Sequence, residues 1–225
     1  MSVSSTAPTL TGVLTTWRLP AVGIAVLLVG AVVYPWLAFR LRRHGQRWPV
    51  GRIMCWYLGL ICLAIGLGSA LAVYSHNLFS VHMIVHLLMI MVAPAFFVWA
   101  QPVRLVHDTG GPQIARLVDR LRLRSPLRFL VSLWFTVPLY VAVIVLTHLT
   151  GFQQAMATHM WIHDTELLLY FVSGYLLLLP LIGDELTTDT PRPYSLRLVV
   201  LALCTGPDTL VGVTLTLAAD SLHRR

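Results

Sequence analysis

The chain has 225 residues, of which 57% are hydrophobic and only 11% charged, with a formal net charge of +7. So small a polar fraction cannot clothe a soluble domain of this length, which excludes a water-soluble enzyme or binding module and leaves a polytopic membrane protein. The positive charge does not signal a nucleic-acid partner, because the basic residues are divided among short connections and form no single patch.

A bilayer core about 30 Å thick takes roughly 20 apolar residues wound as a helix. Six such stretches are predicted, near 20–39, 53–73, 83–103, 129–147, 165–183 and 198–219. The expected fold is therefore an all-α, polytopic integral membrane helical bundle, a single membrane domain over 1–225. Residues 1–17 are uncharged and rich in Ser and Thr. They lack the basic start and short apolar core of a cleaved signal peptide, so the first span is expected to be retained. Cys55, Cys62 and Cys204 all fall within spans and form no CxxC motif, so they read as small core residues.

Orientation follows from the basic residues. All sixteen are arginine, with five in 40–52, six in 104–128 and two in 184–197, while the connections 74–82 and 148–164 have none. The positive-inside rule makes the arginine-bearing loops cytoplasmic and, with six helices, puts both the N-terminus and the C-terminus outside. His76, His82, His86, His148, His159 and His163 then share the outer side. His44, His107 and His223 read as structural.

In the third span His82, His86, Met89 and Ala93 fall on one helical stripe, with Met83 adjacent. Imidazole and thioether donors together favour copper. After the span the cytoplasmic segment near 112–124 places Ile114, Leu117, Val118 and Leu121 on one face and Arg116, Arg120 and Arg124 on another, with Pro112 at its start. That pattern predicts an interfacial amphipathic helix. His148 ends the fourth span. The fifth repeats the donor theme, with Met156, His159 or Met160, His163 and Glu166 spaced three or four apart. Glu166 either steadies the His163 tautomer or is itself a ligand. Asp208, in Gly206-Pro207-Asp208-Thr209, caps a half-helix after the proline or serves a proton or cation relay. Pro94, Pro138 and Pro180 predict bent helices. No phosphate loop, internal repeat or Ser/His/Asp order supports a nucleotidase or hydrolase.

Phe79-Ser80-Val81-His82-Met83-Ile84-Val85-His86-Leu87-Leu88-Met89, with Val92-Ala93-Pro94 and Gln101-Pro102-Val103 after it, resembles the His-Met-x-x-His segment and Ala-Pro kink of the CtaG-type cytochrome c oxidase assembly factors found with caa3-type oxidases in Gram-positive bacteria. Thr147-His148-Leu149 is similar to that family's Thr-His. His163-Asp164-Thr165-Glu166, followed by Gly174, Pro180 and Gly183, resembles its His-x-x-Glu-His helix, and Pro207, Thr209 and Gly212 fit the next segment. Two departures stand out. Leu167 occupies the place of the family's second histidine in that helix, a gap His159 is a candidate to fill, and relatives usually carry a further hydrophobic segment where this chain stops at His223-Arg224-Arg225.

The resemblance implies oxidase maturation connected with copper. The leading expectation is a membrane assembly factor, a chaperone and not an enzyme, that binds or delivers copper through an outer-face site drawn from His82, His86, His148, His163, Glu166, Met83, Met89, His159 and His76. One alternative is a haem-binding electron-transfer protein using His86 with His163 or His148 as axial ligands. Another is a copper transport component continuing through Met89, Met91 and Asp208. Expected partners are cytochrome c oxidase subunits and membrane lipid, with a homo-oligomer left open. The expected location is the bacterial plasma membrane, with several passes.

Overall fold

In lipid every backbone N–H and C=O must find its partner within its own segment, and a helix achieves this for an apolar stretch. The computed structural model of the chain describes residues 19, 21–68, 79–149, 160–183, 185, 193–204 and 206, and of 79–82, 148, 149, 160, 161 and 163 only the backbone. Among the described residues there is no strand. Among the described residues four helical runs are long and apolar enough to cross a membrane: Ala21–Arg43, Val50–Gly68, Met83–Thr109 and Asp164–Ile182. Two shorter apolar helices, Leu133–Thr147 and Tyr194–Cys204, overlap the fourth and sixth predicted spans. The chain divides into two compact units, Met1–Ala100 and Gln101–Arg225.

The first unit holds α1 (Ala21–Arg43), α2 (Val50–Gly68), α3 (Phe79–Leu87), a π-helical turn (Leu88–Val92) and α4 (Ala93–Ala100). Arg40, Arg42 and Arg43 lie in the last turn of α1, where cations complement the helix dipole. Gly45 closes it in the left-handed region, φ 79°. The Gln46 N–H donates to the Leu41 carbonyl and the Gly45 N–H to that of Arg42, the reciprocal pair of a Schellman cap. Val22, Val26, Val29, Val33 and Trp36 form an exposed apolar stripe along α1, as expected where the neighbour is hydrocarbon. Pro35 removes the N–H that would bond the Ala31 carbonyl, and the Tyr57 hydroxyl donates to that carbonyl at 3.0 Å.

One residue earlier in each helix, Trp56 Nε1 donates to the Gly30 carbonyl at 2.9 Å. The Trp56 ring stacks on Tyr34 with centroids 4.4 Å apart and receives Phe97 edge-on at 4.8 Å. Tyr34 in turn donates to the Ala100 carbonyl at 2.5 Å and accepts from Trp48 Nε1 at 3.2 Å. Three helices are thus tied by aromatic contacts that keep their value where the hydrophobic effect is weak. Two glycines of α2 allow the close approach. A Cβ at Gly59 would lie 2.9 Å from the Phe97 ring, and one at Gly66 would lie 2.5 Å from Met89 Sδ.

The second unit holds α5 (Pro102–Thr109), α6 (Gly111–Leu123), α7 (Ser125–Leu130), α8 (Leu133–Leu149), α9 (Met160–Ile182) and α10 (Tyr194–Cys204). Its core lies between α8 and α9, where Tyr140, Ile144, Leu167, Tyr170 and Leu177 are buried. The fourth predicted span begins late, at Leu133, because Pro126 starts a separate short helix whose C-terminus turns at Val131 and Ser132. The helix of the sixth span starts early, at Tyr194, where the Pro193 carbonyl accepts the Arg197 N–H. At the start of α5, Gln101 adopts φ 52°, ψ 59°, and the Arg104 N–H, left over at that helix end, donates to Glu185 Oε1 at 2.9 Å. His107 is structural, as expected: its Nδ1 lies 2.9 Å from Asp108 and its Nε2 lies 3.3 Å from Asp119, joining α5 to α6. His44 lies in the turn after α1, while His223 and Asp208 lie outside the described residues. Among the described residues no disulfide forms, and Cys204 is buried.

Candidate metal site

Each unit carries part of the predicted donor set. In the first, α3 places the backbones of His82 and His86 one turn apart, and His86 is only 6% exposed. The π turn follows at once. Its cause is Pro94, which offers no N–H to Ile90 and whose ring would press on that carbonyl in a regular helix. The backbone widens instead, and the Ala93 N–H donates to the Leu88 carbonyl five residues back. Such turns mark places where a helix is made to re-aim its side chains. Met89, within this turn, is 1% exposed, and its thioether sits over the notch at Gly66. Packing against α2 is therefore its observed contact. Met83 is half-buried.

In the second unit, Glu166 is 1% exposed, although it stands among the apolar residues of α9. One turn on, the Tyr170 hydroxyl donates to Glu166 Oε1 at 3.2 Å and lies 2.6 Å from Thr147 Oγ1 of α8. Thr147 also reaches the Val143 carbonyl at 2.8 Å. A phenol has one proton. When Tyr170 gives it to the carboxylate, its oxygen is left to accept from Thr147, and the chain runs from Thr147 through Tyr170 to Glu166 in the rotamer that turns the single Thr147 proton from the Val143 carbonyl to Tyr170. Sequence reading picked out Glu166 and missed Tyr170. The available signal was its position four residues on, the same face of one helix. Leu167, where the resembled family has histidine, is 1% exposed and so fills an interior position with a hydrocarbon side chain.

For His82, His148 and His163 the structure describes helical backbone only, and His76, Met156 and His159 lie outside the described residues. Among the described residues no three His, Cys, Asp or Glu side chains come together. What is described fits copper by donor chemistry. A desolvated imidazole and a desolvated thioether within one turn are borderline and soft ligands, and a buried carboxylate held by a phenol is a suitable partner for an imidazole.

Tyr170→Phe is expected to lower stability by about 1–3 kcal/mol, because Glu166 loses a buried donor. Thr147→Val added to that variant should cost less than it does alone, since the shared bond is already gone. Thermal unfolding of the four proteins in one detergent gives the coupling.

The chain resembles uncharacterized proteins of Mycobacterium bovis and Mycobacterium tuberculosis, each 32% identical over 203 residues, covering 86% of this chain and 30% of the relative. A Mycobacterium leprae protein, also uncharacterized, is 27% identical over the same length. The chain thus spans about 30% of the length of these curated relatives. No solved structure matches. The profile of the cytochrome c oxidase caa3 assembly factor family, Caa3_CtaG, matches residues 32–224, taking in the histidine-bearing α3, the π turn before Pro94 and the Thr147–Tyr170–Glu166 chain, and the protein belongs to that family.

Proposed function

We propose that this chain is a multi-pass bacterial plasma-membrane assembly factor for a haem-copper cytochrome c oxidase, and that it binds copper for delivery to that enzyme. The family match over 32–224 carries the assembly role. The copper part is supported by His86, a buried imidazole one helical turn from His82 and from the Met89 thioether. In the first unit the proposed donors are His82, His86, Met83 and Met89, with His76 as an auxiliary ligand. In the second unit, taken by itself, the proposed donors are His148, His163 and Glu166, with His159 as an auxiliary ligand. Copper is the cargo, and the chain's own work is to desolvate and orient the donors. Tyr170 and Thr147 would hold the Glu166 carboxylate in place. No bond-making step is assigned to the protein, which is proposed to act as a chaperone and not as an enzyme.

The proposal includes a single membrane domain with six passes and both ends outside. Its support is the alternation of arginine-rich and arginine-free connections, together with a family match that runs without interruption across both units. The partners would be oxidase subunits and lipid.

Two measurements test the parts separately. Protein purified from copper-supplemented cells should carry copper, and the variant H82A/H86A should carry none while keeping its helical content. Wild-type copper in that variant removes the copper reading. In cells lacking the gene, oxidase activity should fall and be restored by the wild-type protein but not by the variant. Full activity without the gene removes the assembly role.

A further inference from the structure

Between the apolar run Met83–Thr109 and the apolar helix Leu133–Thr147 the chain passes through α6 and α7, and α6 is amphipathic in an unusual sense. Its apolar ridge does not face the protein. Ile114, Leu117 and Leu121 follow at i, i+3 and i+7, and are 41%, 56% and 40% exposed. The edge that packs is a different one, formed by the buried Val118 together with Asp119, which lies 3.3 Å from His107 Nε2 of α5. Arg122 Nη1 lies 3.7 Å from the same carboxylate, so its charge is compensated. At 100° per residue, Arg116, Arg120 and Arg124 line the side of the ridge away from this packed edge. Among the described residues no carboxylate pairs with any of the three. Leu123, on the other side of α6 at its last turn, and Phe129 of α7 are also exposed but lie off this ridge.

We infer that α6 is a binding surface for anionic phospholipid, with Ile114, Leu117 and Leu121 entering the acyl boundary and Arg116, Arg120 and Arg124 meeting phosphate. Three observations select lipid over a protein occupant. The helix is flanked along the chain by membrane-crossing and apolar helices, so it is held at a bilayer surface. The ridge and the arginine row lie side by side, as a helix lying in the headgroup plane requires. The uncompensated charge is all guanidinium, whose fork suits phosphate oxygens. The Asp119 clamp on His107 sets the roll of the helix, which decides that the ridge and not the Val118 edge faces the acyl chains. The surface does not depend on the oxidase role.

The test uses the full chain in nanodiscs of phosphatidylglycerol or phosphatidylcholine. In a C55A/C62A/C204A background, spin labels placed singly at Leu117, Leu121 and Gln113 report collision with oxygen and with a nickel chelate. Labels at 117 and 121 should be rich in oxygen and shielded from nickel, while the label at 113, on the arginine edge, should meet nickel. Nickel access at 117 equal to that at 113 overturns the proposal, as does shielding of 117 from both probes, the mark of a covering protein or second copy. Near an anionic surface each arginine is worth a factor of about five. R116Q/R120Q/R124Q, checked for unchanged helical content, should therefore bind phosphatidylglycerol about 100-fold more weakly by native mass spectrometry, with phosphatidylcholine binding unaltered. Undiminished phosphatidylglycerol binding in that variant also overturns it.

Discussion

Trp56→Ala is expected to destabilise the first unit by about 3 kcal/mol, the low end of the range for removing a large packed side chain. The low end applies because part of the usual cost reflects transfer from water, and a membrane helix that opens still meets hydrocarbon. What remains is specific. The variant loses the stack on Tyr34, the edge contact with Phe97 and the bond from Nε1 to the Gly30 carbonyl. Tyr34 would be affected in turn, since its hydroxyl bridges the Ala100 carbonyl and Trp48 Nε1, and a ring with no stacking partner holds that hydroxyl less firmly. Trp56→Phe keeps the ring packing but not the indole donor, so it should recover roughly half the loss, leaving about 1–1.5 kcal/mol for the missing hydrogen bond. Unfolding in mixed micelles with increasing SDS, followed by circular dichroism, orders the three proteins. Equal stability of Trp56→Ala and wild type would show that the aromatic node does not hold the helices.

Gly59→Leu should cost about 3 kcal/mol, the upper end for overpacking. A Cβ at this position would stand 2.9, 3.0 and 3.1 Å from three atoms of the Phe97 ring, and that ring cannot retreat while it is set edge-on against Trp56. The cost is therefore shared between helix separation and a disturbed aromatic node. Removing the obstacle should relieve it: Phe97→Ala, destabilising by itself, should restore a large part of the stability of Gly59→Leu. The two losses should then fall well short of adding. Gly66→Ala offers an internal contrast. Its obstacle is the Met89 thioether, on a side chain with three rotatable bonds, so one added methyl here should cost less than Gly59→Leu. Additive losses for Gly59→Leu and Phe97→Ala would mean that the two positions do not meet.

The long apolar helices were legible because apolar length alone marks a span, whatever the periodicity. Their ends were less so. Where a helix stops depended on prolines whose local effect cannot be read from hydropathy, as at Pro126, which starts α7 apart from α6. The π turn shows the same limit, since Pro94 announced a bend but not the form it takes. At the candidate site His86 and Glu166 stood out as polar groups in apolar runs, and both are buried. Tyr170 did not, because a tyrosine in a membrane helix reads as bulk or as an interfacial anchor until its hydroxyl is seen between Thr147 and Glu166. Glu185 was placed in an arginine-bearing loop and given no role. Its partner, the Arg104 N–H, is 81 residues away in the chain, and no local pattern carries that information.

The π turn between α3 and α4 has a bearing on angle as well as on hydrogen bonds. His86 and Phe97 are eleven residues apart, close to three full turns of a regular helix, so in an unbroken α-helix they would point the same way. Five residues wound at the wider pitch subtract about a quarter turn. The segment thereby acts as a swivel: the half that grips α2 through Phe97 and the half that carries the histidines are aimed independently, and a single residue gained or lost within Leu88–Val92 would leave hydropathy untouched while turning the imidazoles to a different quarter of the compass.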